Sequence, residues 1–254
     1  MNTYALATML ALCAPAMAQS TYMRMPEGTK DIDLTLASFY GPSTAGSRER
    51  TLRLLPLISV QWANGYFINM NQIGVHLPPP RADIRYGLVA VPTFSRRTTL
   101  AQGQTQTRNR FTPELGGFLS YTPSKELTLS SSVLYGGSSD HRGVRMDLSA
   151  ELAFPAAQHH VLGLRAAALL ANRSALEAEF AVPPAEATPR FAAYEVQDGV
   201  HSVAIGANWR WHFKPKYRLA TSLQWQRLQG SAAASPRTEQ PSAVSVSGML
   251  IYSY

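Results

Sequence analysis

The chain has 254 residues and a formal net charge of +7, and only 15% of its residues are charged, against roughly 25% in an average soluble protein. No run of eighteen apolar residues occurs, which argues against a helical membrane protein. The positive charge contains no long Lys/Arg block and no nucleic-acid motif, which argues against DNA or RNA as a partner. Low charge beside an ordinary apolar content of 45% suits a chain that hides its apolar side chains by alternation, as a membrane β-barrel does.

The amino end reads as a secretory signal over residues 1–18. Ala5 to Ala14 is a short apolar segment, and Ala16-Met17-Ala18 is a small-x-small cleavage site before Gln19. The segment lacks the usual basic start. It also holds the one cysteine, Cys13, so cleavage would leave residues 19–254 without a thiol nucleophile, a disulfide or a zinc–thiolate site.

Residues 19–31 are polar. Ile32 to Tyr40 alternates and is a first strand, followed by the loop Gly41 to Ser47. Leu52, Leu54, Pro56, Ile58, Val60 and Trp62 share one face of the next strand, with Arg53, Ser59 and Gln61 on the other. Ala63-Asn64-Gly65 is a tight turn into a strand from Tyr66 to Leu77, which Pro78-Pro79-Pro80 ends. Strand character resumes at Ile84 and lasts to about Arg97. Residues 99–110, rich in Gln, Thr and Arg, read as a polar loop.

The second half alternates more cleanly. Leu115, Gly117, Leu119 and Tyr121 lead to the turn Thr122-Pro123-Ser124-Lys125, and Leu127 to Tyr135 follows, with a loop from Gly136 to Arg142. From Gly143 to Phe154, Val144, Met146, Leu148, Ala150, Leu152 and Phe154 share one face. Arg145, Asp147, Ser149 and Glu151 take the other. Six alternate apolar positions span eleven residues from Val144 to Phe154, beyond the usual strand of about 5–6 residues and enough for a tilted crossing of a bilayer. Val161 to Ala171 is a strand despite its alanines. Residues 172–199 are Ala/Pro/Glu-rich, with a short strand expected near Glu177–Val182. Val203 to Phe213 and Tyr217 to Trp225 alternate on either side of Lys214-Pro215-Lys216. A Ser/Ala/Pro loop over 229–242 precedes the last strand, Val244 to Tyr254.

That last strand carries Val244, Val246, Gly248, Leu250 and Tyr252 on one face and stops on an aromatic residue, which resembles the sorting signal of bacterial outer-membrane barrels. Tyr121, Phe154, Phe213, Tyr217 and Tyr254 gather near one set of strand ends, and Tyr135 and Trp225 near the other. Two aromatic girdles around an apolar band are a membrane-barrel feature. The fold expected is therefore all-β: a transmembrane antiparallel up-and-down barrel over 19–254. Turns at 122–125, 155–158 and 214–216 lie on the periplasmic side, and loops 136–142, 172–199 and 229–242 lie outside. With both termini in the periplasm the strand count is even. Ten or twelve strands fit, and twelve is preferred. Val244–Tyr254 would pair with Ile32–Tyr40 to leave no free edge.

Several short elements then resemble the MipA/OmpV family of outer-membrane proteins. They are Gly46-Ser47, Leu55-Pro56-Leu57-Ile58, Phe180-Ala181-Val182, Phe191-Ala192-Ala193-Tyr194, Gly199, Arg227-Leu228, and Gly230-Ser231-Ala232-Ala233-Ala234-Ser235-Pro236. Ser231 and Ala234 replace two acidic residues of the family's loop. Asn172 and Leu176 stand where Asp and Tyr are expected, at positions read as exposed. The resemblance implies a scaffold that contacts a lytic murein transglycosylase and a penicillin-binding synthase, besides outer-membrane lipid and lipopolysaccharide.

The residues themselves offer no catalytic constellation. Barrel lipases and deacylases commonly place His and Ser two apart on one strand, so that both point the same way. None of His76, His141, His159, His160, His201 or His212 has such a Ser. His201 and Ser202 are adjacent and would face opposite sides unless a bulge intervenes. No catalytic residue, cofactor ligand or metal ligand is assigned. Glu114, Arg145, Asp147, Glu151, Arg165, Arg210 and Arg218 are expected in the lumen, either as a pore lining or, the preferred reading, as an ion-pair network filling it. Trp209 and Trp211 are read as lipid-facing anchors. The expected function is a non-enzymatic scaffold linking the outer membrane to peptidoglycan-remodelling enzymes, with a narrow channel for small solutes as the alternative.

Overall fold

The computed structural model describes residues 25–254 apart from 93, 102–103, 112, 139–140, 185–186 and 190. The expected leader, with Cys13, lies outside the described residues. Fourteen strands follow in order: β1 Lys30–Pro42, β2 Arg50–Trp62, β3 Tyr66–Asn69, β4 Gln72–His76, β5 Ile84–Val91, β6 Phe94–Ala101, β7 Gln104–Phe111, β8 Glu114–Tyr121, β9 Leu127–Ser138, β10 His141–Ala157, β11 His160–Ala171, β12 Gly199–Lys214, β13 Tyr217–Leu228 and β14 Ser242–Ser253. Two helices, α1 Arg173–Phe180 and α2 Gly230–Ala233, sit in the loops before β12 and β14.

Twelve of these strands close into one antiparallel barrel. Each pairs with its sequence neighbour except at two places, where β5 pairs with β8 and β14 returns to β1. The return runs from Asp33 opposite Ser253 to Tyr40 opposite Val246, so the expected closure by the last strand is present. Both described ends of the chain lie at one rim. There Tyr254 N donates to Ile32 O at 2.9 Å.

Four stretches differ from the sequence reading. Tyr66–Leu77 is not one strand but the short hairpin β3–β4, folded at Met70-Asn71, where Met70 takes φ 50°. The turn residues Asn69 and Asn71 flank Met70, a signal that the reading of one long strand passed over. Of the polar stretch 99–110, residues 99–101 end β6 and 104–110 lie in β7, so its described part is strand rather than loop. Near Glu177–Val182 the chain is helical through Phe180, because Asn172 caps α1 by accepting from Ala175 N at 3.1 Å. The loop expected over 136–142 is mostly strand, β9 reaching Ser138 and β10 starting at His141.

The ribbon is a separate two-stranded sheet whose register continues that of β5 and β8. Ile84 faces Tyr121 and Val91 faces Glu114 between β5 and β8, and Phe94 faces Phe111 and Ala101 faces Gln104 between β6 and β7. These are one register, broken where Pro92 and Pro113 stand at facing positions. Neither proline has an amide to give a ladder.

Outward positions carry the apolar band, with Leu34, Leu36, Leu54, Leu119, Leu164, Ile205 and Leu250 all exposed. The inner wall is not wholly polar. Ala37, Phe39, Met249 and Ile251 are buried against Leu55, Leu57 and Met70, an apolar seam inside β1, β2 and β14.

Candidate functional site

The lumen is lined by paired charges. Arg145 meets Glu114, Arg165 meets Asp147 at 3.7 Å, Arg210 meets Glu151 at 3.5 Å, and Arg218 meets Asp33 at 2.7 Å. All seven charged residues expected in the lumen are therefore found in these pairs. Asp33 is the eighth, on the inner face of the first strand, where the sequence reading had assigned no charge. Four guanidinium groups against four carboxylates leave the set neutral.

Their geometry corrects the idea that they fill the barrel. β10 supplies Arg145, Asp147 and Glu151 to three of the pairs, with partners on β8, β11 and β12. The fourth joins β13 to β1 across β14. The pairs run along the wall as staples between nearby strands. A cavity of about 630 Å³ remains, from Asp31, Pro215 and Tyr254 at the terminal rim to Glu114, Ser202 and Gln226 deeper in. Hydroxyls are frequent on its wall, and Ser120 and Ser130 approach to 3.2 Å.

The opposite mouth is overlaid by the loops. Leu176, Phe180, Val196, Leu228 and Ala232 form a compact core above β11–β13. Polar ties fix it: Ser235 Oγ donates to Phe180 O at 2.6 Å, Tyr194 Oη to Ser231 O at 2.9 Å, and Ser231 Oγ to Gln197 O at 3.0 Å. The β1–β2 loop joins in, with Glu239 N and Gln240 N both donating to Gly46 O at 2.9 Å. Leu176, read from sequence as an exposed position, is a core residue of this lid. Ser231, where the family has an acid, is a hydrogen-bonding hub between the two loops.

Beneath the lid, the pairing of β11 with β12 skips from Leu169–Ser202 to Leu170–Val200, which leaves His201 as a bulge. Both His201 and Ser202 are consequently buried. They form no dyad: Ser202 Oγ accepts from Gln226 Nε2 at 3.1 Å, while the His201 ring lies 5.2 Å from that of Phe180. Glu179, on the last turn of α1, has its carboxyl raised to about 7 by burial, with the Arg145 charge opposing.

At the terminal rim the outward face is aromatic. His160 stacks on Trp209 and Trp211, and the row continues through Phe213, Tyr217 and Tyr252. Trp209 Nε1 donates to His160 Nδ1 at 3.1 Å. Lys216 Nζ lies 5.6 Å over the Tyr254 ring, a cation–π contact at the level of lipid headgroups. Tyr40, Tyr135 and Trp225 form the sparser second girdle.

Among solved structures, the NanC porin aligns at TM-score 0.43 and 12% identity, over 86% of this chain and 98% of its own. The translocator domain of the autotransporter NalP from Neisseria meningitidis aligns at TM-score 0.47 and 11% identity, over 98% of this chain and 96% of its own. An outer membrane protein of Vibrio cholerae, the loop L8 deletion mutant of OmpT, aligns at 0.42 and 7%, over 90% and 100%. No curated protein sequence matches. The family model described as MltA-interacting protein MipA matches residues 34–254. Matched from the first barrel strand to the last residue, this outer-membrane β-barrel belongs to the MipA family.

Proposed function

We propose that the protein is a non-enzymatic scaffold of the outer membrane, whose terminal rim receives periplasmic partners of peptidoglycan remodelling. The observation that carries this reading is the asymmetry of the two mouths. The loop mouth is overlaid by a hydrogen-bonded core built on Phe180, while the cavity reaches the rim that holds both described ends. A barrel arranged in this way is a platform rather than a free passage. The neutral ion pairs staple strands to each other and carry no chemistry of their own. The family description, an MltA-interacting protein, supports a murein transglycosylase as one partner. The same resemblance suggests a penicillin-binding synthase as a second.

Crosslinking in native envelopes, followed by mass spectrometry of the captured partners, tests this. Recovery of cell-wall hydrolases or synthases in excess over an unrelated barrel is expected, and their absence would sink the scaffold reading. A narrow channel is the second reading, favoured by the 630 Å³ cavity. Reproducible single-channel steps from refolded protein in planar bilayers would favour it over the scaffold.

A further inference from the structure

The half of the lumen next to the terminal rim has a wall equipped for hydrogen bonding. Ser120 on β8 faces Ser130 on β9, and Ser130 faces Ser149 on β10. All three line the cavity. Neighbouring strands lie about 4.8 Å apart, so the three hydroxyls form a row about 10 Å long. In the next row Phe118 faces Ser132, which faces Asp147. Ser120 Oγ and Ser130 Oγ lie 3.2 Å apart. Among the described residues, Ser132 and Ser149 spend their hydroxyls on no other side chain. Asn71 and Gln72 line the same cavity from the β3–β4 turn, and their carboxamides are uncommitted in the same sense.

An aromatic ring borders the hydroxyls. Phe118 lies over Gly87, where an added Cβ would come within 2.8 Å of Phe118 Cζ. The glycine lets the ring lie along the wall rather than reach across the lumen. His76 and Phe67 hold it there edge to face, with ring centroids 5.3 and 5.9 Å away. Charge is balanced around the cavity as well as within the pairs. Asp31, Asp33, Glu114 and Asp147 line it, and so do Arg85, Arg145, Arg165 and Arg218. A charged ligand would find no excess of the opposite sign.

We infer that this wall is a binding site for a neutral oligosaccharide, entered from the terminal rim. Sugar hydroxyls donate and accept at once, as serine hydroxyls do, and carboxamides offer both functions side by side. The C–H face of a sugar ring packs on an aromatic ring, which Phe118 supplies beside the row. The row is long enough for two sugar rings. A cavity of about 630 Å³ with a few placed polar groups is of the size that small ligands occupy. Other ligand classes fit less well. A wholly apolar molecule would cover the hydroxyls without giving them partners. A peptide strand docks by its backbone on an open sheet edge, and β8, β9, β10 and β11 each have a neighbour on both sides. Binding here needs neither a partner protein nor passage through the loop mouth, so it goes beyond the scaffold and channel readings alike.

Saturation-transfer NMR on the folded barrel in detergent tests the site, with chitotriose and maltotriose as neutral probes. Transfer to at least one of them is expected, and silence from both overturns the site. Ser130→Val with Ser149→Val removes two hydroxyls and keeps strand-forming side chains. It should weaken binding about tenfold, the loss of two hydrogen bonds. Ser222→Ala, whose hydroxyl meets Ser247 at 2.7 Å on another part of the wall, should leave binding unchanged. An equal effect of the two variants, whether loss or none, would place the sugar elsewhere and overturn the assignment. An anionic probe, trigalacturonate, bound as tightly would overturn the neutral class, and trialanine bound as tightly would assign the wall to peptides. Should the double variant fail to fold, alkylation decides. Ser130→Cys in a Cys13→Ala background should react with a small maleimide several-fold more slowly under saturating chitotriose or maltotriose. An unchanged rate under both would sink the site.

Discussion

Arg218 on β13 reaches past β14 to Asp33 on β1, Nη2 to Oδ2 at 2.7 Å, while Ser253 Oγ between them donates to Asp33 Oδ1 at 2.7 Å and accepts from Arg218 at 3.1 Å. One carboxylate thus ties the first strand to the last two. The pair is less than one-third exposed on either side. Arg218→Met should lower barrel stability by about 1.5–3 kcal/mol, the range for a hydrogen bond to a charged group. Ser253→Ala should cost less. Urea unfolding in lipid vesicles reads both. A double-mutant cycle of Arg218→Met with Asp33→Asn should show coupling, and strict additivity would count against the staple.

Glu179 makes the lid sensitive to pH. Its carboxyl is raised from 4.5 to about 7, chiefly by burial, with Arg145 pulling the other way. The folded lid therefore holds a proton that the undocked helix releases. The contribution is fully present below about pH 4.5 and is lost as pH rises through about 7. Amide exchange across α1 should accelerate over that window, and Glu179→Gln should flatten the response. A pH-independent lid in the unmodified protein would refute the assignment.

Phe180 is the keystone of the same lid, 1% exposed and touching both loops. Phe180→Ala should destabilise the lid by about 3–5 kcal/mol, whereas the barrel pairing beneath does not depend on it. External protease on intact cells should then cut within 172–198, with the membrane-inserted fraction unchanged. Loss of insertion would mean that the lid forms with the wall rather than after it.

Orientation can be read chemically. Gln240 lies exposed in the β13–β14 loop, and Lys125 in the turn between β8 and β9 at the opposite rim. Gln240→Cys should react with an impermeant maleimide on intact cells, and Lys125→Cys only after permeabilisation. The reverse pattern would invert the barrel.

Much of the wall was legible because a strand with lipid outside and polar groups inside must alternate with period two. β8 to β14 do so over long stretches, and their turns carry Pro, Lys and Ser. The same rule explains the failures. β7 and the end of β6 carry Thr, Gln and Arg in succession, so no alternation marked the ribbon beyond about Arg97. The β3–β4 turn bends at Met70-Asn71 with asparagines, not Gly or Pro, as its signal, and a reading keyed to Gly and Pro passed over them. α1 was missed although Ala, Leu, Glu and Arg are strong helix formers and Asn172 was a usable cap signal. In the lumen, Arg145, Asp147 and Glu151 were placed by β10's parity alone. Glu114, Arg165 and Arg210 were likewise expected in the lumen, but which charge meets which could not be read, because pairing across strands depends on registers that no local pattern contains.

Tyr254 stands outside the barrel proper, 80% exposed, with Lys216 over its ring. Its deletion should lower the heat-modifiable, inserted fraction in cells. Its effect on stability, once inserted, should be small, since it adds one backbone bond, to Ile32. Unchanged insertion would remove its role as the terminal signal.

The contact between Ser253 and Asp33 joins residues 220 apart in sequence. Nothing shorter can close the ring, because β1 has no permanent neighbour on that side until β14 is complete. During biogenesis the amino-terminal edge must therefore wait, unpaired, through the delivery of every later strand. Loop-closure entropy makes such a step slow, and a waiting edge is an aggregation hazard. Any truncation upstream of β14 leaves β1 without its partner on that side, so the ring cannot close.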